Sequence, residues 1–275
     1  MLRLRVASDD AVTPAVPAPD EPGVEVWRHT DGTVIAFGGS REREHWMQLL
    51  NVGLFVFGEE ADVVTVFPDA DAGPETVEDG FRRAVLPMAL QVLGRDVLHA
   101  SAVLGRSGVI AFCAVSETGK STVAYALGRR GYRLWADDAL AFRIDEAAVT
   151  AVPLAFTLRL RPATSEFYGV DGDASLVEPA AAERLTAVCV LERSEEGDDG
   201  APVARLAGAD AFSAVLPHAY CFSLADDARK ARMTSSYLEL VDRVPVFRVQ
   251  VRSGLEHLQP LLDRIEEAVG LGPAA

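Results

Sequence analysis

The stretch Gly108-Val-Ile-Ala-Phe-Cys-Ala-Val-Ser-Glu-Thr-Gly-Lys-Ser-Thr122 decides the fold of this chain. Its first five residues are apolar and predict a buried strand, and the residues that follow Lys120 predict a helix. A small-residue loop between a strand and a helix is typical of a phosphate-binding loop, because backbone N–H groups and the helix N-terminus both attract anions. In such a loop Lys120 reaches the β- and γ-phosphates, and the Ser121 hydroxyl ligates Mg²⁺.

Two positions depart from the pattern G-x-x-x-x-G-K-[ST]. Ala114 replaces the first Gly, and Glu117 is expected to place a carboxylate inside a loop that binds anions. Like charges ~4 Å apart repel by about 1 kcal/mol in water and by several times more in a drier site. An alternative is an ordinary strand–turn–helix with an exposed Lys120. The pattern favours a nucleotide site formed by Ala114, Ser116, Glu117, Thr118, Gly119, Lys120, Ser121 and Thr122.

Composition limits the classes of partner. The 275 residues include 41 Asp and Glu against 26 Lys and Arg, which gives a net charge of −15. Binding to nucleic acid or to an anionic membrane surface needs clustered basic side chains, so we expect neither. The three cysteines show no C-x-x-C spacing, which argues against a disulfide framework or a zinc site. Because no signal peptide or apolar run of ~18 residues is apparent, the expected compartment is the cytoplasm.

The rest of the chain predicts three segments. Residues 1–23 are rich in Pro, Ala and Asp and predict a flexible leader. Residues 24–94 predict a small β-rich unit that includes a hairpin at Asp31-Gly32 and ends in a helix that Pro87 kinks or divides and Gly94 caps. Residues 95–275 mix strands and helices around the loop. The predicted fold class is therefore α/β (α+β), a P-loop core preceded by a β-rich unit.

Polar side chains interrupt two of the predicted strands. His99 lies in a strand predicted from residue 96 to 104, and Asp137-Asp138 interrupt a strand predicted from residue 134 to 142. Burying ionised carboxylates is costly unless something pairs with them, and in a P-loop protein the partner can be Mg²⁺. The alternatives are a simple turn at Asp137-Asp138 and a core histidine with satisfied hydrogen bonds at His99.

Three segments in succession carry a resemblance to a known family. Leu98-His-Ala-Ser101, the loop Ser116-Glu-Thr-Gly-Lys-Ser121 and Tyr132-Arg-Leu-Trp-Ala-Asp-Asp138 resemble the catalytic domain of HPr serine kinase/phosphorylase. The same succession is similar to that of phosphoenolpyruvate carboxykinase. The overlap is clear from about residue 98 to residue 144. In size and layout the chain resembles stand-alone HPr-kinase-like proteins, some of which accompany peptide natural-product pathways and phosphorylate a precursor peptide.

The resemblance implies an HPr-kinase/PEP-carboxykinase-like P-loop core and a role for each matching residue. Lys120 and Ser121 would hold phosphates and Mg²⁺, and Asp138 would bind the metal directly or through water. Asp137 would accept the proton of the attacking hydroxyl. His99 would lie near the γ-phosphate or the metal. The catalytic set that the resemblance implies is thus Asp137, His99 and Lys120, with Ser121 and Asp138 at the metal.

The implied activity is that of a kinase dependent on Mg²⁺ and on ATP or GTP. It would transfer the γ-phosphoryl group to a hydroxyl, either on a Ser or Thr of a peptide or protein or on a small molecule. The nucleotide and this acceptor are the implied partners, and an oligomer is compatible with the resemblance. Ala114 and Glu117 keep an alternative open, namely a degenerate P-loop protein that has lost catalysis and acts as a binding partner or scaffold.

Overall fold

The computed structural model describes residues 2–8, 10–29, 31–58, 62–170, 176–178, 181–194, 202–223, 226–270 and 272–273. The chain divides into two compact units, Met1–Arg95 with Cys221–Ala231 and Asp96–Tyr220 with Arg232–Ala275. Both contain β-sheet and helix, so the mixed α/β class agrees with the prediction. Within the described ranges, every helix is too short or too polar to cross a membrane.

The described residues of the first unit form a six-stranded sheet in the order β1-β6-β5-β4-β3-β2. Its strands are β1 Arg3–Val6, β2 Glu25–Arg28, β3 Val34–Arg41, β4 Glu44–Leu49, β5 Gly53–Gly58 and β6 Val63–Pro68. Strand β1 pairs in parallel with β6, and the other neighbours are antiparallel. The predicted hairpin at Asp31-Gly32 joins β2 to β3. Strand β1 lies within the residues that the sequence assigns to the leader, and the domain boundaries stay a prediction.

The helical segment of this unit is divided near Pro87, one of the two outcomes that this proline predicts, and it shows the predicted cap at Gly94. Helix α1 spans Pro74–Gly80, a π-helical turn spans Phe81–Val85, and helix α2 spans Leu86–Val92. Pro87 has no N–H to donate to the preceding turn, which accounts for the irregular turn before it. Gly94 then adopts a left-handed φ of 75°, and hydrogen bonds from residues 94 and 95 back to the last turn end the helix.

The second unit contains a nine-stranded sheet within its described residues. The strands of this unit are β7 Asp96–Leu98, β8 Ala100–Gly105, β9 Gly108–Cys113, β10 Arg133–Ala136, β11 Leu140–Ile144, β12 Val149–Val152, β13 Phe156–Thr157, β14 Leu176–Val177, β15 Glu183–Arg193, β16 Val203–Leu206 and β17 Val246–Val251. Strands β13 and β14 form a separate pair. The large sheet runs β10-β8-β9-β15-β12-β11-β7, with β17 beside β15 and β16 beside β17. Because β9, β15 and β17 are parallel, their C-terminal ends meet at one edge.

From residue 120 onward, helices alternate with strands along the chain. They are α3 Lys120–Arg129, α4 Pro162–Tyr168, α5 Gly208–Val215, α6 Asp227–Arg243 and α7 Leu258–Val269, with 3₁₀ turns at Leu216–His218 and Leu255–His257. Helices α3 and α7 bury apolar side chains against β9, β15 and β17 in one core that includes Phe112, Leu127 and Leu262. This packing fixes the start of α3 at the sheet edge.

Two long strands predicted from the sequence are each broken in the structure. The first splits into β7 and β8 at His99, and the second splits into β10 and β11 at residues 137–139. Strand β7 pairs with β11 through Leu98 and Leu140, whereas β8 pairs with β10 through Ala102 and Ala136. The two breaks therefore lie at the same level of neighbouring antiparallel segments, which brings His99 next to the acid pair.

Candidate functional site

The loop 114–119 joins β9 to α3 at the sheet edge where parallel strands end. Two of its residues have left-handed backbone, Glu117 with φ 74° and Gly119 with φ 113°. Glycine adopts this conformation without strain, whereas a glutamate there is uncommon. Gly119 is also the N-cap of α3 and has no side chain to bond the N–H groups of the first turn. Those N–H groups are the donors that a phosphate would use.

Lys120 is buried, with 8% of its surface exposed. Its Nζ lies 3.5 Å from the carbonyl oxygen of Ala114 at the other end of the loop. Burial lowers the pKa of Lys120, and the charges of Asp138 and Asp137 act in the opposite direction. The alternative of an exposed lysine on an ordinary turn is therefore wrong, because the ammonium group faces the interior of the loop.

Ser101, Lys120, Ser121 and Asp137 form what we call the polar cluster. Asp137 is 7% exposed, and its Oδ1 accepts hydrogen bonds from Ser101 Oγ at 2.6 Å and Ser121 Oγ at 2.8 Å. Its Oδ2 accepts a longer bond of 3.4 Å from the backbone N–H of Arg159. Burial raises the pKa of Asp137, the charge of Asp138 adds to this, and the hydrogen bonds oppose it. Asp137 is thus a stronger base than a free aspartate.

Asp138 and His99 lie beside this cluster. The distance from His99 Nε2 to Asp138 Oδ1 is 3.9 Å, and their side chains are 37% and 25% exposed. The backbone N–H of His99 donates to the His218 carbonyl, and the Tyr220 hydroxyl donates to the Asp138 carbonyl at 3.1 Å. Asp137-Asp138 do form a bend between two strands, as the turn alternative predicts. The bend also joins the acid pair to the polar cluster, and the imidazole of His99 is not a core side chain.

Glu117 does not direct its carboxylate into the loop, which corrects the expectation from the sequence. Glu117 Oε1 lies 3.0 Å from Arg161 Nη2, and the two side chains are 61% and 59% exposed. We call these two residues the rim pair. Arg193 Nη2 donates to the backbone carbonyl of Glu117 at 3.0 Å. The left-handed backbone at Glu117 turns the side chain outward to Arg161, while Arg193 holds the backbone carbonyl.

The remaining loop residues differ in their environment. Ser116 is exposed, whereas Thr118 is buried and its hydroxyl has no hydrogen-bond partner among the described residues. The Thr122 hydroxyl lies 3.1 Å from that of Thr164 at the start of α4. Ala114 is buried at the end of β9. The Thr118 hydroxyl and the uncapped N–H groups in the first turn of α3 can therefore donate hydrogen bonds to a ligand that is rich in acceptor atoms.

A cavity of about 970 Å³ adjoins the loop at Glu117, Thr118 and Gly119. Its described lining continues along α4, the ends of β15 and β17 and the start of α7, and includes Phe167, Arg193, Gln250 and Leu258. The acid pair and His99 are not among these described lining residues. The volume is within the range of small-molecule sites. The loop is therefore bordered by the polar cluster at its helix end and by the cavity at its middle.

The structure thus brings together Lys120, Ser121, Asp137, Asp138 and His99, while Ser116 and the carboxylate of Glu117 point to solvent. The sequence predicted no role for Ser101, Arg161, Arg193 or Tyr220. A signal existed for Ser101, because it follows His99 by two residues and side chains two apart share a strand face. No local pattern could reveal Arg161, which is 44 residues from Glu117.

The donor set can be tested against the implied Mg²⁺. Across the described residues, no group of three or more His, Cys, Asp or Glu side chains is arranged to hold a metal. The polar cluster and the adjoining Asp138 instead offer the hydroxyl of Ser121 and the carboxylates of Asp137 and Asp138. Mg²⁺ commonly takes one or two carboxylates and completes its shell with phosphate oxygens and water. These residues therefore fit an ion that is held together with a nucleotide.

Comparison with known proteins gives little further information. No family model matches the chain, and no curated protein matches it. Among solved structures, the chain is similar to the HPr(Ser) kinase/phosphatase from Coxiella burnetii, with 10% identity and a TM-score of 0.38 over 62% of this chain and 89% of that chain. A likeness at this level establishes neither the fold nor the function of this chain.

Proposed function

We propose that this protein is a nucleotide-dependent kinase that transfers the γ-phosphoryl group to a hydroxyl of a peptide, a protein or a small molecule. The observation that carries the proposal is the polar cluster, which combines a buried ammonium, two hydroxyls and a buried carboxylate at the start of one helix. Phosphoryl transfer needs positioned phosphates, neutralised charge and an oriented nucleophile. Buried charged groups are costly to stability, so such a cluster is expected where chemistry requires it.

In this proposal the triphosphate of ATP or GTP lies along the loop. The backbone N–H groups from residue 119 to residue 121 bind its oxygens, and Lys120 neutralises their charge. The nucleoside enters the cavity, which adjoins the loop at Thr118 and Gly119. Ser121 and Asp138 would hold Mg²⁺, which would supply additional neutralisation of phosphate charge.

The acceptor hydroxyl approaches the acid pair. Asp137 Oδ1 already accepts two short hydrogen bonds, whereas Oδ2 accepts a single long one within the described residues. Oδ2 is therefore the atom that takes the proton of the hydroxyl. The raised pKa of Asp137 supports this role, because a base is more effective when its pKa is nearer to the working pH.

Glu117 favours a second candidate, a P-loop protein that has lost catalysis and acts as a binding partner or scaffold. Its left-handed backbone and its contacts with Arg161 and Arg193 stiffen the middle of the loop. A loop stiffened in this way would bind nucleotide weakly or not at all. The two candidates therefore differ in how tightly nucleotide binds and in whether it is turned over.

Calorimetric titration of MgATP and MgGTP into the purified protein tests the proposal. We expect saturable binding that Lys120→Ala weakens by about 10- to 100-fold, the loss typical of a charge-assisted hydrogen bond. The matched control is Arg129→Ala, which removes one positive charge at the exposed far end of the same helix and should leave affinity unchanged. Absence of binding by the wild type at millimolar nucleotide would favour the scaffold.

A further inference from the structure

The rim pair is placed where it can take part in phosphate binding. Its two side chains are largely exposed, and exposed ion pairs contribute little to stability because water competes for both charges. A multiply charged anion can therefore displace the Glu117 carboxylate from Arg161 at low cost. An ion pair of this kind is unsuited to holding the loop closed permanently.

Arg161 is also within electrostatic reach of the loop interior. It directly precedes α4, whose Thr164 contacts Thr122 in the first turn of α3. Burial lowers the pKa of Lys120, and the positive charge of Arg161 adds a smaller effect in the same direction, so the guanidinium is near enough to act on the buried ammonium. Two cations directed at one loop favour an anion between them.

The chemistry of the guanidinium suits phosphate. The contact with Glu117 uses Nη2, and a guanidinium carries five N–H donors in a planar fork that matches phosphate oxygens. Arg193 is engaged differently, since it donates to the backbone carbonyl of Glu117 and lines the cavity. Arg161 is thus the guanidinium whose partner at the rim is another charged side chain that a phosphate can replace.

We propose that Arg161 is a phosphate-binding residue of this loop and that Glu117 competes with the nucleotide for its guanidinium. The inference rests on the proposed function, because it requires a nucleotide in the loop. Under it, Glu117 neither blocks the loop nor binds phosphate. Glu117 lowers nucleotide affinity because its carboxylate pairs with Arg161. When nucleotide binds, its phosphate replaces that carboxylate as the partner of Arg161.

A simpler role for Arg161 is to neutralise Glu117 without touching the nucleotide. The two roles differ once Glu117 carries no charge. If Arg161 binds phosphate, its loss weakens binding even in a protein with Glu117→Gln. If it only neutralises Glu117, its loss in that background has no effect. A double-mutant cycle therefore separates the two roles.

The experiment is calorimetric titration of MgATP into the wild type, Glu117→Gln, Arg161→Gln and the double variant. We expect Glu117→Gln to tighten binding by roughly 3- to 10-fold and the double variant to bind at least about 10-fold more weakly than Glu117→Gln alone. Arg161→Lys in the Glu117→Gln background should fall between the two, because lysine keeps the charge and loses the fork. Arg129→Gln in that background is the matched control, and thermal unfolding confirms that each variant is folded.

The outcomes separate this inference from the kinase proposal. Equal affinities for Glu117→Gln and for the double variant would overturn the role of Arg161 while leaving the kinase proposal standing. Weaker binding by Glu117→Gln than by the wild type would overturn the competition. Failure of both the wild type and Glu117→Gln to bind MgATP would overturn this inference and the kinase proposal together.

Discussion

The polar cluster and the rim pair place carboxylates around the same loop in opposite environments. Asp137 is 7% exposed and accepts hydrogen bonds from two serine hydroxyls, whereas the Glu117 side chain is 61% exposed and pairs with an equally exposed arginine. Burial raises the pKa of Asp137 and makes its charge costly. The difference teaches that the effect of an acid on a phosphate loop depends on its burial and direction, more than on its place in the motif.

The same difference predicts how strongly each region responds to substitution. Removing one partner from a buried hydrogen-bonded group costs about 1–3 kcal/mol, because the remaining group is left unsatisfied. Exposed ion pairs contribute about 0–1 kcal/mol. Substitutions in the polar cluster should therefore have large effects on function and stability, and substitutions in the rim pair should have little effect on stability.

The largest expected effect is on turnover. Asp137→Asn keeps the shape of the side chain and removes the proton acceptor, so phosphoryl transfer to water, measured as ADP and phosphate release from MgATP, should fall by roughly 10²- to 10⁴-fold with little change in nucleotide affinity. Asp138→Asn is the matched comparison and should raise the Mg²⁺ concentration needed for half-maximal turnover. If added Mg²⁺ instead restored the turnover of Asp137→Asn, Asp137 would be the metal ligand and Asp138 the proton acceptor.

A smaller effect, of opposite sign, is expected on stability. Because the folded state raises the pKa of Asp137, its contribution to stability is fully present below the ordinary value of 3.8 and is lost as the pH rises through the folded pKa. Asp137→Asn should therefore raise the unfolding free energy at pH 7 by about 1 kcal/mol and the melting temperature by roughly 2–4 °C. The gain should shrink toward pH 4 in thermal unfolding followed by circular dichroism. A lower melting temperature for Asp137→Asn than for the wild type at pH 7 would contradict this prediction.

The smallest expected effect concerns the stability of the rim pair. Glu117→Gln removes an exposed charge and should change the unfolding free energy by no more than about 0.5 kcal/mol in urea denaturation. Glu239→Gln is a suitable control, since it also breaks an ion pair with a partly exposed arginine, Arg243, on α6. A loss of 2 kcal/mol or more (about the cost of a buried partner) would mean that the rim pair holds the loop together.

Sequence alone predicted the features that local patterns encode. The apolar run before the loop and Gly119-Lys120-Ser121 after it identified β9, the loop and the start of α3. The outward direction of Glu117 could not be predicted, because it depends on backbone conformation and on Arg161 far along the chain. Pro245 predicted either an edge strand or a strand start, and the strand start is confirmed because β17 begins at Val246. The structure places β17 between β15 and β16, because Pro245 precedes the strand and its carbonyl still accepts from Val188.

The division of the predicted strand at His99 could not be predicted from the sequence either, whereas a turn at the acid pair was one of the two alternatives. Each segment reads as one continuous strand, since its apolar residues continue on both sides of the polar ones. The break arises because β7 and β8 pair with different strands, and such pairing is a tertiary property. The apolar residues around Asp137-Asp138 predicted that the acids are buried. The hydrogen bonds of Asp137 with Ser101 and Ser121 depend on the topology of the sheet, which the local sequence does not encode.

These aligned breaks have a consequence for how the molecule can change. Strand pairing on both sides fixes the positions of His99 and the acid pair, between Leu98 and Leu140 on one side and between Ala102 and Ala136 on the other. A one-residue insertion or deletion in either segment would turn alternate side chains to the opposite face of the sheet. Changes in loop length therefore cannot move the acid pair. Insertions and deletions are tolerated in the connections beyond these strands. The residues around the site can therefore vary while the strands keep His99 and the acid pair in place.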